Sequence, residues 1–213
     1  MRDFPVFTTE NGAASLVLRE IPYRGMAYIT FQDTRNPQKL LAECVAFCKM
    51  AGAENIYARG HEWLENYPVY TSVVKMQRSR ADLPESNAAL FPVTEKSVEQ
   101  WRALYNEKMR GVPGASTMTR EEGKQLLVKG GGYFVHRDGE LLGIGIAREN
   151  KIEAVASVKP GAGETVLLTL SSALFSENVV LEVASNNEPA VRLYERLGFL
   201  KTALLCSWYD VTN

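Results

Sequence analysis

The glycine pair in Gly161-Ala162-Gly163 is the first place where residue types and spacing suggest chemistry. It precedes the apolar-periodic run Val166, Leu167, Leu170 and Leu174, so it stands at the start of a predicted helix. A helix start exposes unpaired amides and the positive end of the helix dipole, which suits a pyrophosphate. Such a pair also marks a plain turn, and Glu164 places a negative charge beside any bound anion. Asn187, two residues ahead of Pro189, is positioned to cap another helix. Cys44 and Cys48 lie four apart on an apparent helix, but no second pair of ligands accompanies them and the chain has only two histidines. They read as core residues, and no metal is expected.

The elements around these residues follow from pattern. Ser15–Leu18 and Met26–Phe31 flank a turn at Pro22–Gly25 and predict a hairpin. Asn36 and Pro37 open an amphipathic helix through Leu40, Leu41, Cys44, Val45 and Cys48 to Gly52. Strands are expected at Asn55–Ala58 and Val69–Met76, with a polar and aromatic connection His61–Tyr67 between them. Arg78–Ala88 reads as a linker. A short strand at Ala89–Val93 leads to a helix capped by Thr94, and Thr119-x-x-Glu122 is a capping box for a second helix ending at Gly130–Gly132. Tyr133–Arg137 and Glu140–Ala147 are joined by Asp138-Gly139, the clearest hairpin signal in the chain. Glycines 143 and 145 within that hairpin fit either the close approach of a ligand or a bulge. A third strand at Ile152–Val158, the glycine loop and its helix, a strand at Asn178–Ala184, a helix at Pro189–Leu197 and a last strand at Phe199–Val211 follow. This order predicts a mixed α/β layer and not a doubly wound parallel sheet.

The run Leu181–Phe199, LEVASNNEPAVRLYERLGF, closely resembles the strand-loop-helix signature of the GNAT acetyltransferase superfamily. The match rests on Asn187-Glu188-Pro189-Ala190, on Leu193-Tyr194-Glu195 and on Gly198-Phe199, and the element order from about Phe91 to Asn213 agrees with that fold. The resemblance implies a GNAT-like acyl-CoA N-acyltransferase fold using acetyl-CoA as co-substrate. Ala156, Ser157 and Val158 would then supply backbone partners to the pantetheine arm. Gly161, Ala162, Gly163, Glu164, Thr165 and Val166 would cradle the pyrophosphate, and Asn187 would orient the pantetheine. Tyr194 matches the family's general acid, a phenol of ordinary pKa near ~10 that suits a leaving thiolate, with a helix-face aromatic packed into the core as its alternative. Glu153, on the strand before the glycine loop, is implied as general base, with a solvent-facing strand residue as its alternative. His136 is a further candidate base or a plain hairpin residue. The family's usual Arg or Gln three residues before the first loop glycine is replaced by Val158, and the loop is shorter.

Residues 1–80 read as a truncated GNAT-like half without its own coenzyme site, or as an unrelated β/α domain. Residues 81–89 read as a linker and 90–213 as the N-acetyltransferase domain. With 24 basic and 25 acidic residues the formal net charge is −1, which offers no footprint for nucleic acid or an anionic membrane. Three cysteines without framework spacing, no signal-peptide pattern and no long apolar run predict a cytoplasmic protein. The expected reaction is acetyl transfer to a primary amine of a small molecule or peptide, by a monomer or homodimer. The altered glycine loop keeps a second reading open, a non-catalytic module that binds acyl-CoA or a protein partner. A dinucleotide-binding fold is disfavoured by the antiparallel meander.

Overall fold

The computed structural model describes residues 5–213. Along the chain run β1 (Val6–Thr9), β2 (Gly12–Val17), the short helix α1 (Ile21–Arg24), β3 (Met26–Thr34), α2 (Pro37–Met50), β4 (Asn55–Arg59) and β5 (Val69–Ser79). Then come β6 (Ala89–Pro92), α3 (Val98–Met109), α4 (Arg120–Lys129), β7 (Gly132–Arg137), β8 (Glu140–Arg148) and β9 (Lys151–Ser157). The chain closes with α5 (Gly163–Ser172), β10 (Asn178–Ala184), α6 (Glu188–Arg196) and β11 (Leu200–Asp210). This is the expected mixed α/β class.

Several boundaries have readable local causes. Asn36 Oδ1 accepts from the Lys39 amide at 3.1 Å and Pro37 follows, so α2 starts where its cap dictates. The capping box of α4 is complete, with the Glu122 amide donating to Thr119 Oγ1 at 3.2 Å and the Thr119 amide to Glu122 Oε2 at 2.9 Å. Asp138 and Gly139 both take positive φ, 53° and 79°, as a two-residue hairpin turn requires. Thr94 does not cap α3. Its amide donates to Ser97 Oγ in a preceding turn, and the helix begins four residues later at Val98. β1 went unread from sequence. Within His61–Tyr67 a 3-10 turn, Glu62–Asn66, starts on an imidazole cap, His61 Nδ1 accepting from the Trp63 amide at 3.0 Å.

The chain forms two compact units, one made of residues up to Ser72 with Cys206–Asn213, the other of Val73–Leu205. The division passes through β5 and β11, not through residues 81–89, whose start lies in a 3-10 turn, Arg80–Asp82. Strand pairing explains why. Val73–Ser79 of β5 pairs antiparallel with β10, from Val73↔Ala184 to Ser79↔Asn178, and the end of β11 pairs with β4 through Tyr209↔Ala58 and Asp210↔Tyr57. Each unit thus takes its closing strand from the other half of the sequence.

The N-terminal unit orders its strands β1-β2-β3-β4-β11, with α2 packed on one face over Ala27, Ile29, Phe31, Ile56, Ala58 and Val211. The C-terminal unit orders its strands β5-β10-β9-β8-β7-β6. One face carries α5 and α6 over Ile152, Leu181 and Val183, and the other carries α3 and α4 over Phe134, Ile144 and Ala156. Glycines 143 and 145 serve the first packing. A Cβ at Gly143 would lie 2.6 Å from Val166 Cγ2 and one at Gly145 would lie 2.2 Å from Leu170 Cδ1, so their absence lets α5 seat on β8.

Candidate functional site

The C-terminal unit contains a parting between two parallel strands. β9 and β10 pair only at Lys151↔Val180 and Ile152↔Leu181, at their N-terminal ends. Beyond that, β9 stays paired with β8 as far as Ser157 and β10 stays paired with β5 as far as Ala184. The two inner edges therefore separate while both outer edges stay fixed. Backbone donors and acceptors along such an edge need partners, which an extended, hydrogen-bonding ligand can supply.

Which residues face the gap follows from the ladder. The Val158 amide donates to Leu142 O on β8 at 2.8 Å, and Ala156, two residues earlier, sends its amide to the same edge. Of the three residues expected to face coenzyme, Ser157 alone has its backbone on the gap side, with Val155 as its partner in alternation.

The glycine loop ends at α5, whose N-terminus has no side-chain cap. The amides of Gly163, Glu164 and Thr165 occupy first-turn positions that a helix leaves without internal acceptors. Val166 is different. Its amide donates to Ala162 O at 2.9 Å and its side chain is fully buried, so it closes the helix and does not join the cradle. Gly161 takes φ 79°, and a Cβ there would meet nothing within 4 Å, so the loop's outer side is open. These observations fit a pyrophosphate: a helix dipole, bare amides and room. The negative charge of Glu164 is drawn aside, because its carboxylate accepts from Arg196 Nη2 on α6 at 3.1 Å. Both side chains are largely exposed, so the pair orients more than it stabilises.

α6 brings the remaining candidates. Its C-terminus is closed by Gly198 at φ 77° and by the Phe199 amide donating to Tyr194 O at 2.9 Å. Tyr194 packs in the core, 6.0 Å from the Phe199 ring centre, and burial pushes its hydroxyl up to about 12. Asn187 occupies the N-cap position of α6, yet its side chain makes no capping bond. The capping role read from sequence is corrected, and the amide group is left for another partner.

Glu153 sits where the β8–β9 register shifts, since Ile146 pairs with Ala154 and Ala147 with Ile152. This bulge overrides the simple alternation expected from the pleat. Its carboxylate accepts from Arg148 Nη2 at 3.0 Å. Glu182, which sequence reasoning missed, lies on β10 immediately past the last paired residue and accepts from Lys151 Nζ at 2.5 Å. Its signal was a lone acid in an otherwise apolar strand, legible only once the gap is known. His136 stands on β7 opposite Ala89, its ring edge-on to Phe91 at 5.2 Å, as a hairpin residue away from the gap-lining strands.

No group of three or more potential metal ligands occurs among the described residues. Cys44 and Cys48 are fully buried, their thiols pushed up to about 12 and about 11, chiefly by burial. Among the described residues no helix is long and apolar enough to cross a membrane.

No family model and no curated protein matches this chain. Solved structures do. A functionally unknown conserved protein from Staphylococcus epidermidis aligns with a TM-score of 0.60 at 12% identity, over 98% of this chain and 93% of that one. A GCN5-related N-acetyltransferase from Sphaerobacter thermophilus aligns with 0.53 at 13%, over 94% and 75%. One from Anabaena variabilis aligns with 0.64 at 11%, and this chain spans 95% of itself against 60% of that protein. The architecture is thus GNAT-like over most of the chain; at these identities the likeness is one of fold.

Proposed function

We propose that this chain is an acyl-CoA-dependent N-acyltransferase that moves an acetyl group from acetyl-CoA to a primary amine of a small molecule or peptide. The observation that carries this reading is the parting of β9 from β10 beside the uncapped start of α5. The first offers a slot with backbone partners for an extended arm, and the second offers amides for a pyrophosphate. Acetyl-CoA, when bound, supplies an activated thioester. In this reading the Ser157 backbone aligns the pantetheine arm, the amides of Gly163, Glu164 and Thr165 hold the diphosphate, and Asn187 donates from its uncommitted side chain.

Fixing donor and acceptor together supplies much of the rate. Glu153, oriented by Arg148, takes the proton of the attacking amine directly or through water, and Tyr194 gives its proton to the departing sulfur. A phenol at about 12 is neutral at physiological pH and so carries that proton. The same value opposes giving it up, and this favours a second reading in which the unit binds acyl-CoA, or a protein partner, without turnover.

Calorimetry with acetyl-CoA, paired with a free-thiol assay over a panel of primary amines, separates the two. The enzyme reading expects binding and amine-dependent thiol release. Binding with no release for any amine supports the second reading, and absence of binding removes both acyl-CoA readings.

A further inference from the structure

The face of the N-terminal sheet opposite α2 carries a different constellation. Alternation along β3 and β4 sends Ala27, Ile29, Ile56 and Ala58 to the α2 side and Tyr28, Thr30, Tyr57 and Arg59 to the other. There Tyr57 stacks on Tyr70 with ring centres 3.8 Å apart and planes 17° from parallel, and Tyr28 lies edge-on to Trp208 at 5.2 Å. Tyr28 and Tyr57 are the buried inner layer, while Tyr70, Trp208 and Arg59 are only half-buried and form the outer one. The Arg59 guanidinium sits 4.7 Å from the Trp208 ring centre. Its Nε donates to Thr30 Oγ1 at 3.2 Å and its Nη1 to Cys206 Sγ at 3.3 Å.

A guanidinium has five N–H donors; these two bonds use the one on Nε and one on Nη1 and leave three, both of Nη2 among them, to meet a carboxylate. No carboxylate among the described residues forms an ion pair with Arg59. A half-buried charge lacking a counter-ion is costly unless something supplies one, and here the head is immobilised by three independent contacts. Rings presented beside such a group favour a flat apolar body joined to the anion.

We infer that this face of the N-terminal unit is a binding site for an aromatic carboxylate, with the carboxylate held by Arg59 and the ring laid against Trp208 and Tyr70. The site is independent of acyl transfer and is measured without acetyl-CoA.

The probes are 2-naphthoate and its neutral isostere 2-naphthamide, titrated calorimetrically into the full chain. Naphthoate is expected to bind and naphthamide to bind at least about tenfold more weakly, since the charge-assisted fork is lost. Arg59→Gln should weaken naphthoate by about tenfold or more. Arg59→Lys keeps the charge but not the fork, and should fall between wild type and Arg59→Gln. If Arg59→Gln fails to fold, the Arg59→Lys titration decides alone, a drop in affinity supporting the site and an unchanged affinity rejecting it. Trp208→Phe, which keeps a ring but shrinks the platform, should weaken naphthoate severalfold. Equal affinity for the two probes, undiminished binding by a folded Arg59→Gln protein, or no heat with naphthoate at millimolar concentration overturns the assignment.

Discussion

The two units share a run of elements, an antiparallel β-meander, a helix, and a strand parallel to the last strand of the meander, and they differ where a coenzyme would sit. In the N-terminal unit β3 and β4 pair over five consecutive positions, from Met26↔Asn55 to Thr30↔Arg59. In the C-terminal unit the corresponding β9 and β10 pair at two and then part. The helix starts differ in the same sense. Asn36 caps α2 with its side chain, whereas α5 follows a glycine-bearing loop and has no side-chain cap. A closed ladder and a capped helix leave fewer backbone groups for a ligand than an open ladder and a bare helix start. One architecture can therefore be a binding site or a scaffold according to how its backbone polar groups are satisfied.

The sharpest way to test the C-terminal assignment is Tyr194→Phe. Loss of a general acid should lower turnover by about a hundredfold while acetyl-CoA affinity stays within about twofold, read by steady-state kinetics beside calorimetry. Unchanged turnover would move the proton donor elsewhere.

Alkaline pH probes both units together. Burial, the leading cause in each case, pushes Tyr28 in the N-terminal unit and Tyr194 in the C-terminal unit up to about 12 from an ordinary value of 10. Both phenols bind their protons more tightly folded than unfolded, so stability is fully present below pH ~10 and falls as pH rises towards ~12. Each contributes on the order of 2 kcal/mol to that loss. Denaturant melts across this range should flatten in Tyr28→Phe and in Tyr194→Phe, and an equally steep loss in either variant would contradict the assignment.

Asn36→Ala removes the cap of α2 and should cost about 1 kcal/mol in a urea melt without altering acetyl-CoA affinity. A loss of affinity would link that helix to coenzyme binding after all. The smallest effect is expected from Glu164→Gln, which removes a carboxylate from the cradle and releases Arg196. Acetyl-CoA should bind about two- to threefold more tightly at low salt, with the gain fading as salt rises, and stability should stay within ~0.5 kcal/mol.

Several features set by neighbours in sequence were legible there, the caps at Thr94 and Asn187 being exceptions. The Thr119–Glu122 box, the Asp138-Gly139 turn and the Asn36-Pro37 helix start are local, and each appears as read. The strand-loop-helix run Leu181–Phe199 pointed to the correct architecture. Features set by pairing across the chain were not legible. Nothing in Ile152–Ser157 or Leu181–Ala184 says that these strands part after their first contacts, because parting is a property of the register. The exchange of closing strands between halves, the Glu164–Arg196 pair and the surroundings of Arg59 all join residues far apart in sequence. The Val158 amide likewise bonds to Leu142, a choice made by the ladder and not by residue type.

On the proposed reading the coenzyme enters the C-terminal unit alone, in the gap between β9 and β10. Amide hydrogen exchange with and without saturating acetyl-CoA distinguishes the two units. Exchange is expected to slow at Val155, Ser157 and Gly161–Thr165, with β3, β4 and the start of α2 unchanged. Protection confined to the N-terminal unit, equal protection in both units, or none in either would contradict it.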